Sequence, residues 1–311
     1  MTLARTIAVE SANVLADGTP ATGLTATLHA LEAQLAADDE VVLTDAGLDA
    51  ATLRAARTAC PRLRVVPVRP GTTYYDHKNA GVVAARAPVV LLLDGDCAPQ
   101  VGWLDALAAP LRAGAAAVAG VTRYPPSPVA VAATAIDFAR LDDAGGARTL
   151  FANNCAFRRE LALRYPFPAT PGLSKGACQL LALQLRGRGV RLERAPAAVV
   201  HHAMPRGRAW LAMRLRRGAD ARAIAPTLVA AYVPGLGAEA ARLPPCVLGL
   251  ALLALRGAHG TARTLLDAAS VGERLAGAGF LAAATLVDGV GALRGARYVD
   301  EPSAAAGAPA A

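Results

Sequence analysis

Apolar positions in this chain fall into short unbroken runs that alternate with longer stretches carrying one apolar face, a pattern that predicts strands and helices in turn. Residues 6–9, 40–44, 64–68, 89–93 and 116–121 read as strands, and residues 21–36, 50–59, 78–87 and 103–112 as helices. In the first helix Leu24, Leu28, Leu31 and Leu35 recur at the spacing of a single buried face. Val89-Val-Leu-Leu-Leu93 shows no polar alternation, which suits a parallel strand covered on both sides. Repeated strand–helix units with short connections predict a parallel, doubly wound α/β sheet within residues 1–222.

The pattern changes in the last third. Around residues 210–220, Trp210, Leu211 and Leu215 lie beside Arg214, Arg216 and Arg217. That combination fits a helix lying on a bilayer and equally a soluble helix with a solvated basic face. Residues 226–236 and 243–255 are apolar, and residues 275–293 form a run of nearly spanning length broken only by Asp288. These runs are rich in Ala and Gly, and a lone acid inside lipid is costly. Gly277, Gly279, Gly289 and Gly291 would let such helices approach closely. Residues 223–299 are therefore expected to be an apolar helical appendage, either a membrane-associated hairpin or soluble packed helices. Residues 300–311, rich in Ala, Pro and Gly, read as a disordered tail.

Composition narrows the partners. The net charge is +8, yet Lys78 and Lys175 are the only lysines and aromatics make up 4% of the chain. No basic run is interleaved with aromatics, so nucleic acid is not an expected partner, and the charge fits a weak attraction to anionic lipid or phosphate-bearing substrates somewhat better. Cys60, Cys97, Cys155, Cys178 and Cys246 are scattered without a C-x-x-C pair, which argues for a reducing compartment and against structural zinc. Met1-Thr-Leu-Ala-Arg5 runs straight into a strand, so no cleavable signal peptide is expected and the catalytic part is assigned to the cytoplasm.

Asp94-Gly-Asp96 follows the fourth strand directly. Two carboxylates at the carboxyl end of a buried parallel strand stand where open α/β sheets bind ligands. Hard oxygen donors at this spacing suit Mg2+ or Mn2+ already carrying a diphosphate. Gly95 is expected to leave room for a bulky ligand. The alternative is a plain Asp-Gly turn after a strand. Neither G-x-G-x-x-G nor G-x-x-x-x-G-K-[ST] occurs, so phosphates are not held by a Gly-rich loop of either kind.

Several stretches together resemble the inverting family-2 glycosyltransferases of the GT-A fold, in the form found in bacterial membrane-associated enzymes. They are Glu40-Val-Val-Leu-Thr-Asp45, Asp76-His-Lys-Asn79-Ala-Gly81, Leu93-Asp-Gly-Asp96-Cys-Ala-Pro99 with Trp103-Leu104, Asn153-Asn-Cys-Ala-Phe157 and Pro196-Ala-Ala-Val-Val-His201. The resemblance runs from residue 5 to about residue 220 and implies a mixed, mostly parallel sheet. It also implies a nucleotide-diphosphate sugar, UDP- or GDP-linked, as donor, with a lipid-linked or polysaccharide acceptor on the cytoplasmic face of the membrane. Asn13, Asp45, Lys78, Asn79, Asp94 and Asp96 would bind the donor, Asp96 with Asp94 would hold the metal, and Asn153 and Asn154 would lie on the acceptor side. On residue chemistry alone, Asp45 reads equally as a turn residue, Asn79 as a helix-start residue, and Asn153 and Asn154 as turn formers.

Two departures limit what the resemblance implies. Glu10-Ser-Ala-Asn13 stands where the family has Pro-x-x-Asn. The Glu-Asp pair whose Asp deprotonates the acceptor falls on Ala177 and Cys178. Three readings remain. In the first, another group acts as base, with Asp137, Asp142, Asp143, Glu160, His201 and His202 as candidates and His201 ahead of His202. In the second, the acceptor is acidic enough to need none. Or the chain is a non-catalytic partner that binds a sugar nucleotide. A nucleotidyltransferase fits less well, because no Gly-rich amino-terminal loop bearing Lys or Arg is present.

Overall fold

The computed structural model describes residues 4–16, 22–139, 141–144, 146–170, 172–233, 235, 239 and 242–295. The expected disordered tail, residues 300–311, lies outside the described residues. Two compact units are present. One comprises Met1–Ala169 with Ala177–Met204, the other Thr170–Gly176 with Pro205–Ala311.

The first unit is built on one sheet. Its strands are β1 Arg5–Glu10, β2 Glu40–Asp45, β3 Leu63–Pro67, β4 Val89–Asp94, β5 Cys97–Pro99, β6 Ala117–Arg123, β7 Asp142–Asp143, β8 Gly146–Ala147, β9 Asn154–Arg158 and β10 Leu192–His202. They run in the order β3-β2-β1-β4-β9-β6-β10-β8-β7, with β5 pairing β10 off this path. β1, β2, β3 and β4 are mutually parallel, β9 lies antiparallel to β4 and β6, and β10 is parallel to β6. The result is a mixed, mostly parallel, doubly wound sheet. β10 shifts register between Arg194 and Val199, and this irregularity accommodates Pro196, which has no N–H for a ladder.

Helices cover both faces. They are α1 Ala12–Ala16, α2 Thr22–Glu32, α3 Ala50–Ala59, α4 Tyr74–Ala84, α5 Trp103–Arg112, α6 Ala130–Asp137, α7 Arg159–Arg164 and α8 Ala177–Gly187. On one side Leu24, Leu28 and Leu31 of α2 pack with Ile7, Val9, Leu91 and Leu93. On the other, Tyr75 and Val82 of α4 pack with Ala8, Val90 and Leu92. Every residue of β4 is thus buried, which explains its unbroken apolar run. α4 starts four residues earlier than the periodicity suggests, because Thr73 caps it by accepting from the Asp76 N–H. Lys78 consequently sits one turn inside the helix, directly above the end of β4.

The second unit is helical, with α9 Gly207–Tyr232, α10 Pro245–Asp267 and α11 Val271–Arg294. α9 continues through Pro226. Arg214 is not part of a solvated basic face: it is completely buried, and its Nε donates to Asp288 Oδ1 at 2.8 Å. The acid that interrupts α11 is therefore paired, and Trp210 packs on Phe280 with ring centroids 5.9 Å apart. Close approach rests on glycine at two points. A Cβ at Gly291 would lie 2.1 Å from the Leu215 carbonyl oxygen, and one at Gly218 would lie 1.9 Å from that of Asp288. Gly279, by contrast, has open space beside it.

Candidate metal centre

The centre is assembled where β1, β4 and β10 end and α4 begins. Asp94, the last residue of β4, is almost wholly buried. Its Oδ1 accepts from the Tyr74 hydroxyl at 2.8 Å and lies 2.6 Å from Lys78 Nζ. Its Oδ2 accepts from Asn13 Nδ2 at 2.7 Å. Tyr74 and Lys78 reach the same carboxylate because they are four residues apart on one helix face. Lys78 Nζ also donates to the Leu93 carbonyl at 2.7 Å. Burial alone would lower the Lys78 pKa, but Asp94 and Glu10 outweigh it and hold the pKa above its ordinary value. Burial and the adjacent Asp94 push the Tyr74 hydroxyl well up, so it remains a donor.

Asp96 lies in the turn between β4 and β5, and β5 pairs with the end of β10 so that Cys97 faces His202 in register. His202 Nδ1 is 3.6 Å from Asp96 Oδ2, and its Nε2 is 3.8 Å from Asp94 Oδ2. Nδ1 also lies 2.7 Å from the Ala203 carbonyl oxygen. A carbonyl only accepts, so Nδ1 carries a proton and Nε2 of the neutral ring keeps the lone pair that a metal takes. Phe138 and Tyr124 pack against the imidazole, with centroids 5.6 and 6.1 Å away.

Potential ligand atoms of Asp94, Asp96, Cys97 and His202 all lie within 4.8 Å of one another. Burial, reinforced by Asp96, pushes the Cys97 thiol well up, and a soft sulfur suits Mg2+ or Mn2+ less than oxygen and imidazole nitrogen do. Two carboxylates and an imidazole remain, a donor set that fits Mg2+ or Mn2+. A fourth acid stands beside them. Glu10 is completely buried, and burial together with Asp94 pushes its carboxyl up to about 8.

The other residues singled out in the sequence are dispersed. Asp45 Oδ1 accepts from the N–H groups of Gly47 and Leu48 at 3.1 and 2.9 Å, so it shapes the turn after β2. Asn79 exchanges hydrogen bonds with both backbone groups of Phe167, at 3.0 and 2.9 Å, and ties α4 to a distant loop. Asn153 accepts from Thr122 Oγ1 at 3.0 Å. Asn154 accepts from the Trp103 indole at 2.9 Å and donates to the Ala198 carbonyl at 2.9 Å, so two buried motif residues bond each other. His201 lies on the other side of β10 from His202, with Nε2 2.9 Å from Gln100 Nε2.

Among the candidate bases, Asp137 accepts from Tyr124 at 2.8 Å. Asp142 pairs with Arg194, and Asp143 with Arg148 and Arg186, at the β7 edge of the sheet, remote from β4. Glu160 is exposed in the first turn of α7. Ala177 and Cys178 are buried, and Cys178 Sγ accepts from the Ala152 N–H at 3.3 Å and lies 3.4 Å from the Tyr75 hydroxyl. Gly95 does not clear space for a ligand. A Cβ there would come within 2.6 Å of the Glu10 carbonyl oxygen and 2.9 Å of Val14 Cγ2, so the glycine serves close packing against β1 and α1. Sequence reasoning did not single out Tyr74 or Glu10, although Tyr74 precedes Lys78 by four residues and Glu10 interrupts an apolar strand.

Residues 21–162 match the family described as Glycosyl transferase family 2. The chain is similar to family-2 glycosyltransferases and has a GT-A-like fold. No curated protein matches it in sequence. Among solved structures, a mannosyltransferase from Pyrobaculum calidifontis in complex with GDP-Man and Mn2+ aligns over 94% of this chain and 87% of its own, at 19% identity and a TM-score of 0.57. GalNAc-T7 with UDP, GalNAc and Mn2+ aligns over 74% of this chain and 52% of its own, at 12% identity and a TM-score of 0.53. Glucosyl-3-phosphoglycerate synthase from Mycobacterium tuberculosis in complex with phosphoglyceric acid aligns over 73% of this chain and 79% of its own, at 17% identity and a TM-score of 0.50. At these identities the likeness is one of fold.

Proposed function

We propose that the chain is a metal-assisted, inverting glycosyltransferase that moves a sugar from a UDP- or GDP-linked donor to a lipid-linked or cell-envelope acceptor. The observation that carries this is the convergence of Asp94, Asp96 and His202 at the carboxyl end of β4. Asp96, Asp94 and His202, the last through Nε2, would hold Mg2+ or Mn2+. A bound divalent cation supplies neutralisation of the negative charge that gathers on a departing diphosphate. Tyr74, Lys78 and Asn13 hold the Asp94 carboxylate in place. Asp45, at the end of β2, is the residue proposed to read the nucleoside base, and Asn79, Asn153 and Asn154 act by shaping the walls.

In the transfer itself an acceptor hydroxyl oxygen bonds to the anomeric carbon while the bond from that carbon to the diphosphate breaks. The hydroxyl proton must go to a base. Of the groups considered, Asp137 is linked to the centre through Tyr124, which packs on His202. Asp137 is the base we favour over Asp142, Asp143 and His201.

One observation favours a second reading, a binder without turnover. The position expected to bring the base holds Cys178, buried against Tyr75 and Ala152. Incubation with a panel of UDP- and GDP-sugars, Mn2+ and a lipid extract separates the two. An enzyme releases nucleoside diphosphate in step with labelled lipid, and binding without release from any donor would leave the binder.

We further propose that α10 and α11 attach the protein to the cytoplasmic face of the membrane. Both are long and apolar enough to cross one, with mean hydropathies of 1.2 and 1.5 over their most apolar windows. Leu255, Leu266, Leu275 and Leu286 are 69–75% exposed, apolar surface that water penalises. In a flotation assay the full chain is expected to rise with phosphatidylglycerol-containing vesicles, and Leu266→Glu with Leu275→Glu to reduce this. A chain that stays at the bottom with vesicles present would rule the attachment out.

A further inference from the structure

β1 ends in an acid, Glu10, that the donor site described above does not use. Glu10 and Asp94 are register partners on adjacent parallel strands, so their side chains leave the same face of the sheet. That face is covered by α4, packed so closely that a Cβ on Gly81 would lie 2.8 Å from Ala8 Cβ. Glu10 Oε2 accepts the backbone N–H of Asn13 at 3.0 Å. Asn13 in turn donates through Nδ2 to Asp94 Oδ2 at 2.7 Å. Glu10 Oε1 is buried without a hydrogen-bond partner among the described residues. A buried acceptor in that state costs folding free energy that an apolar side chain of similar size would not. Departures of this kind from local consistency concentrate at functional sites.

We propose that Glu10 is a positioning residue of the metal–diphosphate site: by accepting the Asn13 N–H it sets the Asn13 amide against Asp94 Oδ2, and so orients the carboxylate that faces His202. The proposal rests on the reading of the centre given above. Tyr74 and Lys78 hold Oδ1 of Asp94, and Asn13 holds Oδ2, so together they govern rotation of the carboxylate about its Cβ–Cγ bond. Without an acceptor at position 10, the first turn of α1 loses its tie to β1 and the Asn13 amide loses its aim.

The test uses the full chain, with calorimetric titration of UDP and GDP in Mn2+ alongside thermal unfolding. Glu10→Gln keeps an acceptor for the Asn13 N–H and should bind within about twofold of the parent, whereas Glu10→Leu should bind about tenfold more weakly, the scale of lost outer-shell support. Unfolding of Glu10→Leu is expected at or above the parent temperature, because the unpartnered oxygen is gone. Affinity and stability thus move in opposite directions, which a merely structural role would not produce. Adding Glu10→Leu to Asn13→Ala should weaken binding no further. Glu10→Met, of similar length, repeats the comparison if the leucine variant does not fold. Parental affinity in Glu10→Leu, an equal loss in Glu10→Gln, additive losses in the double variant, or a fall in stability alongside affinity would each overturn the proposal while leaving the site intact. Absence of nucleotide binding in the parent chain would overturn both.

Discussion

Replacing Asp96 by alanine is expected to lower Mn2+-dependent nucleotide affinity by on the order of a hundredfold, since outer-shell residues alone are worth 10–100-fold at metal sites. The unfolding temperature without metal should change little. The contrast with Asp94 explains why. Asp94 accepts from Asn13, Tyr74 and Lys78, and removing it would strand a buried ammonium, at a cost of roughly 3–5 kcal/mol. Asp94→Ala should therefore lose stability and affinity together. Asp96 faces His202 from the turn, and its truncation should be felt in affinity alone. The nucleotide-induced rise in unfolding temperature, measured with Mn2+ for both variants, reads the difference. A rise in Asp96→Ala equal to that of the parent would mean that the acidic pair does not hold the cation.

Asp288→Asn should destabilise the helical unit by about 3–5 kcal/mol, because the isosteric amide leaves the Arg214 guanidinium buried without its carboxylate. Both side chains are essentially inaccessible, at 0% and 1%, so water cannot solvate the charge that remains. Converting both partners to apolar residues, Arg214→Met with Asp288→Leu, should restore most of the loss, as replacing buried pairs by well-packed hydrophobes commonly does. Thermal unfolding of the two variants beside the parent tests this. A single variant within about 1 kcal/mol of the parent, the worth of an exposed pair, would show that the pair is not desolvated as described.

The first unit was largely legible because its central strands are covered on both faces. β1, β2 and β4 carry continuous apolar runs, and the leucines of α2 mark one face that the structure buries completely. Antiparallel β9 between β4 and β6 was not legible, since strand direction leaves no trace in a five-residue buried segment. Residues 210–220 and 226–236 read as separate stretches, yet α9 runs from Gly207 through Pro226 to Tyr232. The arginines at 214, 216 and 217 looked alike until packing assigned Arg214 to Asp288.

Within the candidate site, alternation along a strand puts His201 and His202 on opposite sides, but only β10's pairing with β5 decides which one meets the acidic pair. Glu10 read as an interruption of a strand, because its partner Asn13 and its neighbour Asp94 come together only when β1 and β4 pair. Asn79 and Asn154 stand within family-like motifs, yet both bond backbone or core partners, and that distinction is invisible to spacing.

Calorimetric titration of the full chain with UDP and with GDP, each with Mn2+ and with EDTA, tests the central claim most directly. Saturable binding of one of the two nucleotides in Mn2+, lost in EDTA, is the predicted result. No binding of either nucleotide, with or without the metal, would contradict it.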